Sequence, residues 1–194
     1  GIFKAFFLAG GAGSGKSYSA EKATGSAAGK FAWDKSMSQL KPGKVGPYGL
    51  KVVNSDEQLE YGLMKAKMSS NMKAYTDDET TKKELIRQKA KKVTKKREQL
   101  WVNGRLGLII DGTAKDLTKL SIKKKALEDV GYDTYMIFVN TDLDVAIQQN
   151  NSRTRRLPDE IVRQTWEEVQ QIKMGLANLF SGGFVEIVNN RAGE

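Results

Sequence analysis

FKAFFLAGGAGSGKSY, residues 3–18, couples a short apolar run to a glycine loop and then to a lysine and a serine. Phe6, Phe7, Leu8 and Ala9 are the right length and polarity for a buried strand. The eight residues from Gly10 to Ser17 fit the pattern GxxxxGK followed by Ser or Thr without adjustment. Glycines permit backbone dihedrals closed to other residues, so successive N–H groups can turn inward onto phosphate oxygens at a helix N-terminus. The expected nucleotide contacts are Gly11, Ala12, Gly13, Ser14, Gly15, Lys16, Ser17 and Tyr18. Lys16 would reach the β- and γ-phosphates of ATP, and the Ser17 hydroxyl would complete a Mg²⁺ shell. A flexible Gly/Ser linker is the competing account. At average glycine usage the pattern arises by accident in about one chain of this length in a hundred, and the strand in front of it favours the phosphate loop.

The outer bounds come from composition. With 194 residues, 39% of them hydrophobic, the chain is expected to form a single domain over residues 1–194. No apolar run approaches the ~20 residues of a membrane span, and the first residues lack a signal-peptide layout. The expectation is therefore a cytoplasmic protein with no membrane partner. Cysteine and histidine are both absent, which removes thiolate nucleophiles and leaves a carboxylate or a lysine as any general base. A formal charge of +9 attracts polyanions without saying which kind.

Downstream, residues 16–30 are expected to be the helix after the loop, and residues 31–50, with Pro42, Gly43, Gly46, Pro47 and Gly49, a mobile loop. Residues 51–54 make a short strand, and a helix opens at Ser55-Asp56-Glu57-Gln58 with capping-box spacing. Asp56 is thus either helix-start chemistry or, at the carboxyl end of a parallel strand beside the phosphate loop, a general base. Residues 76–106 hold a long helix with an apolar stripe at Ile86, Ala90, Val93 and Leu100. Around it cluster Lys82, Lys83, Arg87, Lys89, Lys91, Lys92, Lys95, Lys96 and Arg97, either a solvated face or a polyanion-facing one.

Residues 106–111 read as a buried strand whose terminal Asp111 stands where a phosphate-loop enzyme holds Mg²⁺. The following pattern is helical, which disfavours a hairpin turn at Asp111-Gly112. A fourth strand is expected at 134–140, followed by a helix capped at Thr141-Asp142-Leu143-Asp144. The last long helix shows Ile161, Thr165, Val169, Ile172, Leu176 and Leu179 at spacings of three and four, and a fifth strand follows at 184–188. Alternating strands and helices predict an α/β fold with a parallel sheet covered on both faces.

GSGKS, VNSDEQLEY, LIIDGT and NNSRTRRLPDEIV together resemble the P-loop kinase group that includes phage polynucleotide 5′-kinase and the zeta-toxin kinases. The resemblance implies a P-loop NTPase/kinase fold, a five-stranded parallel sheet of order 2-3-1-4-5 and a lid, here residues 151–158. It implies Asp56 as base toward the acceptor hydroxyl and Asp111 at the Mg²⁺. It also implies Arg153 as lid arginine, with Arg155 and Arg156 as rivals. Gln58-Leu59 and Gln148-Gln149 stand where polynucleotide kinases carry acceptor-binding arginines. The function expected is an ATP-dependent phosphotransferase with Lys16, Asp56 and Arg153 as catalytic residues. Its acceptor is a polynucleotide 5′-hydroxyl or, alternatively, a sugar nucleotide or other small molecule. A non-catalytic, ATP-dependent nucleic-acid-binding or assembly module is the third account. Oligomeric state is not legible.

Overall fold

The computed structural model describes residues 3–16, 18, 19, 50–112 and 114–190. The first strand, β1 (Phe3–Ala9), alternates its side chains between two cores: Ala5, Phe7 and Ala9 enter one, Phe6 and Leu8 the other. A strand apolar on both faces belongs in the middle of a covered parallel sheet, and β1 is placed there. It pairs in parallel with β3 (Leu108–Asp111) on one side and β4 (Tyr132–Asn140) on the other. β2 (Lys51–Val53) extends the sheet beyond β3, and β5 (Phe184–Val188) extends it beyond β4. The order is β2-β3-β1-β4-β5, as the resemblance implied, with helices on both faces.

All five strands point the same way, so the carboxyl ends of β1, β3 and β4 emerge side by side. Leu8 stands opposite Asp111, and Ala9 opposite Phe138. Asp111-Gly112 is therefore no hairpin turn, because β3 runs parallel to both of its neighbours.

Among the described residues from 50 onward the α-helices in chain order are α1 (Asp56–Lys65), α2 (Asp77–Asn103), α3 (Leu117–Glu128), α4 (Leu143–Ser152) and α5 (Asp159–Leu179). No helix among the described residues is long and apolar enough to cross a membrane. α2 begins with a complete capping box, Thr76 accepting from Glu79 N while the Glu79 carboxylate accepts from Thr76 N. The capping box expected at Ser55 and Gln58 is not made. Ser55 precedes α1 without a side-chain bond, and Asn54 Oδ1 instead accepts from Asp56 N at 2.8 Å. Thr141 caps nothing either, since α4 is entered through Asp142 without a side-chain cap.

Two apolar stripes depart in part from the sequence expectation. On α5, Val169 and Leu176 are buried and Ile172 and Leu179 pack against the same core, as expected, but at its start Val162 is buried and Ile161 is exposed. On α2, Ala90 packs with Leu59, Leu63 and Met72 in a separate small core, whereas Leu100 is 69% exposed and Val93 faces water. Spacing alone is compatible with several neighbouring stripes, and the position of α1 chooses among them. The expected helix at 16–30 has residues 16, 18 and 19 helical; the remainder, and the expected loop at 31–50 apart from its last residue, lie outside the described residues.

The small core between α1 and α2 carries a test. Leu63→Ala should cost about 2–5 kcal/mol in urea unfolding, whereas Leu100→Ala should stay within about 0.5 kcal/mol of the parent. Equal effects of the two would refute this facing of α2.

Candidate active site

The glycine loop leaves β1 under tight steric limits. Gly13 and Gly15 both have φ +78°, a region that favours glycine. A Cβ on Gly13 would stand 2.1 Å from the Ala146 carbonyl oxygen, and one on Gly15 would stand 2.4 Å from Asn189 Nδ2. The loop main chain thus lies directly on α4 and on the segment after β5. Side chains from both sides then hold it. The Ser14 carbonyl accepts from Thr141 Oγ1 at 3.0 Å and Asn189 Nδ2 at 2.9 Å, while Ala12 N donates to Thr165 Oγ1 at 3.2 Å. Trp166 Nε1 donates to the Thr141 carbonyl at 2.7 Å, tying α5 to the same clamp.

Lys16 curls back over the loop and donates from Nζ to the carbonyls of Gly10 and Gly11 at 2.8 and 3.0 Å. Burial depresses its pKa, a shift opposed by the charges of Asp111 and Asp56 and reinforced by Arg153. The buried Ser14 hydroxyl has no hydrogen-bond partner among the described residues. A main chain too close-packed for side chains, a desolvated ammonium resting on neutral carbonyls and an orphaned hydroxyl form a cradle that an anion fits. Ser17, expected at the Mg²⁺, lies outside the described residues. Tyr18 is half-exposed beside it.

The carboxylates converge from two neighbouring strands. Asp111 closes β3, and Asn54, one residue past β2, donates from Nδ2 to Asp111 Oδ2 at 2.7 Å. Asp56 is the first residue of α1, and its carboxylate accepts from Arg155 Nη2 at 2.5 Å. Glu60, one turn further along α1, lies 3.4 Å from Arg155 Nε. Among the described residues no group of three or more Asp or Glu could hold a metal by itself. A Mg²⁺ carried on phosphate oxygens asks for only one or two carboxylates, and Asp111 ends β3 opposite Leu8 of β1, the strand that runs into the glycine loop.

The three arginines between α4 and α5 have different surroundings. Desolvation alone would depress the Arg155 pKa, but the Asp56 hydrogen bond and the charges of Asp56, Glu60 and Asp111 leave it raised. Arg153 reaches water yet has protein mass around it; this desolvation and then the Arg155 charge depress its pKa, against Asp56 and Asp111. Arg156 turns away, donating from Nε to the Arg153 carbonyl. Asn150, buried, fastens the segment by donating to the Leu157 carbonyl at 2.9 Å and accepting from Leu157 N at 3.0 Å. The Arg156 carbonyl accepts from Met72 N at 3.1 Å, so the expected lid is docked on the α1–α2 side. The Asp56–Arg155 pair is part-buried, with Asp56 46% and Arg155 23% exposed.

The fold is P-loop kinase-like. No protein-family model matches the sequence, and no curated protein matches it. Solved structures do. The crystal structure of the AvrRxo1-ORF1:AvrRxo1-ORF2 complex with sulphate ions is similar at a TM-score of 0.64 and 13% identity, over 99% of this chain and 56% of that one. This chain thus spans little more than half of that protein. A structure from the PezAT toxin–antitoxin system of Streptococcus pneumoniae follows at 0.57 and 13%, over 96% of this chain and 69% of that one. A putative kinase from Chloroflexus aurantiacus gives 0.51 and 11%, over 97% and 87%. At such identities the likeness is one of fold.

Sequence reasoning passed over Asn54, Glu60, Asn150, Thr141, Thr165 and Asn189 as site residues. Thr165 did leave a signal, a polar residue at an inward position of the α5 stripe. Thr141 is 2% exposed and donates its only proton to the loop. Thr141→Val, which keeps the shape and removes the donor, should destabilise the protein by about 1–3 kcal/mol in chemical unfolding. An unchanged unfolding midpoint would remove Thr141 from the clamp.

Proposed function

We propose that this chain is an ATP-dependent phosphotransferase that moves the γ-phosphate of ATP to a hydroxyl. The observation that carries it is the convergence of Lys16, Asp111, Asp56, Arg153 and Arg155 on one end of the sheet, where open α/β folds bind ligands. A related crystal structure, the AvrRxo1-ORF1:-ORF2 complex with ATP, is similar at a TM-score of 0.64 over 99% of this chain and 56% of that one. It supports ATP as the donor.

ATP with Mg²⁺ supplies the transferable phosphoryl group and a divalent charge that offsets the build-up of negative charge. The residues do the positioning. Lys16 Nζ exchanges the Gly10 and Gly11 carbonyls for phosphate oxygens, recovering in a charge-assisted bond what burial costs its ammonium. Asp111 and Ser17 would hold the Mg²⁺, with Asp111 kept in place through Asn54. Arg155 leaves Asp56 for the anionic donor, which frees the Asp56 carboxylate to take the acceptor's hydroxyl proton. Arg153, already facing Lys16 and Asp111 in charge, stabilises the equatorial oxygens, a contribution worth about 10³–10⁵ in rate in other systems. Asp56 is better suited to this than to capping, since the α1 entry is held by Asn54 and Asp56 offers its side chain to the arginines.

Labelled ATP offered with 5′-hydroxyl oligonucleotides, nucleosides and sugar nucleotides tests the activity. Lys16→Ala should abolish transfer and weaken Mg-ATP binding, and Asp56→Asn should keep ATP affinity while losing about 10²–10⁴ in turnover. Full activity of Asp56→Asn would reassign the base, and unchanged ATP affinity of Lys16→Ala by calorimetry would overturn the nucleotide assignment.

A polynucleotide acceptor is supported by the position of α2. Thr94 Oγ1 donates to the Asn54 carbonyl at 3.4 Å, so the middle of the basic helix stands beside the carboxylates. Lys91, one turn before Thr94, is exposed near that contact, Lys92, Lys95 and Lys96 are exposed on the other faces of the helix, and none of the four forms an ion pair among the described residues. Changing all four to Glu should reduce affinity for a 5′-hydroxyl oligonucleotide and flatten its salt dependence in filter binding. Unaltered binding would leave these lysines as a solvated face and favour a small-molecule acceptor.

A further inference from the structure

Asp111 and Asp56 stand on different elements, one ending β3 and the other opening α1. The side chain between them is Asn54. Its Nδ2 donates to Asp111 Oδ2 at 2.7 Å, and its Oδ1 accepts from Asp56 N at 2.8 Å. These two partners fix the orientation of the amide, because a flipped amide would set oxygen against carboxylate and NH₂ against N–H. The residue is itself anchored: its peptide follows β2, and its carbonyl accepts from Thr94 Oγ1 of α2. Asparagine meets a requirement that its nearest replacements do not. Aspartate would face Asp111 with a second carboxylate, and serine, which can make the same turn to the N–H two residues on, is too short to reach Asp111.

We propose that Asn54 is a positioning residue of the phosphotransfer site, holding the Asp111 carboxylate for Mg²⁺ and registering the Asp56 end of α1 against it. The inference rests on the assignment of the site to Mg-ATP. It makes Mg²⁺ affinity and base placement properties of one side chain that need touch neither metal nor substrate. A partner that orients a metal-holding carboxylate typically contributes 10–100-fold in metal affinity or activity.

The test is the ratio of ATP affinity in Mg²⁺ to that in EDTA, by calorimetry, for Asn54→Ser and Asp111→Asn, alone and combined. Asn54→Ser keeps the turn into α1 and loses only the donor to Asp111, so the thermal midpoint should hold while the Mg²⁺-dependent ratio falls about 10-fold or more. In the Asp111→Asn background the same change should have no further effect, because Asn54 acts through that carboxylate. If serine fails to hold the turn and the midpoint drops, Asn54→Thr, whose hydroxyl makes the same turn on a stiffer side chain and adds no charge, must show the same lost ratio. A wild-type ratio in the folded variant, or an effect of equal size with and without Asp111, overturns the proposal. Failure of the wild-type chain to bind ATP in Mg²⁺ would instead overturn the nucleotide assignment, and this inference with it.

Discussion

At position 13 the main chain turns through φ +78° with the Ala146 carbonyl 2.1 Å from where a Cβ would stand. That close approach is the constraint on which the rest of the site depends. It lets the loop lie on the side of α4, and from there Thr141, Thr165 and Asn189 can reach its polar groups. A turn displaced outward by one methyl group would lose those bonds together. The clamp also gives Thr141 and the Ser14 carbonyl their partners where both residues are buried. Satisfied polar groups there hold the backbone in one conformation, and an unsatisfied one, the Ser14 hydroxyl, is left over.

Around this fixed loop the charges are balanced in a chain. Lys16 is desolvated and faces Asp111 and Asp56; Asp111 is bonded to Asn54; Asp56 is paired with Arg155, which also meets Glu60. Removing a charge from such a chain changes the surroundings of several others, since they share a partly water-excluded volume. The individual contacts differ in kind. Lys16 is held by two loop carbonyls, while Asp56 and Arg155 hold each other in a part-buried pair. The first set of contacts belongs to the loop and the second joins α1 to the segment between α4 and α5.

The glycine loop and the alternation of strands and helices were legible because they rest on local chemistry, whereas the strand order came from the resemblance. The glycine spacing, the two-sided apolar β1 and the carboxylate ending β3 are each written within a dozen residues. The helix faces were less legible. Ile161 and Leu100 fit their expected stripes by spacing yet face water, because a helix with several adjacent apolar residues leaves the buried direction to its neighbours. The caps failed for a related reason. Ser55 and Thr141 stand at helix starts with suitable spacing, but Asn54 holds one entry and Thr141 is drawn to the loop 127 residues away in sequence.

By itself, then, the sequence determined the parallel α/β architecture, the conformation of residues 10–16 and the presence of carboxylates at the ends of the second and third strands. These follow from backbone sterics and short-range periodicity. Only the tertiary structure decided how Asp56 is used, which arginine meets it and which side chain joins it to Asp111. Arg153, Arg155 and Arg156 are chemically identical and separated by three positions at most. What distinguishes them is the path of the main chain between α4 and α5, set by Asn150 and by the docking of Arg156 on Met72. That path depends on contacts between residues some 80 to 100 positions apart, such as Arg155 and Asp56 with a separation of 99, and such contacts leave no periodic trace in the chain.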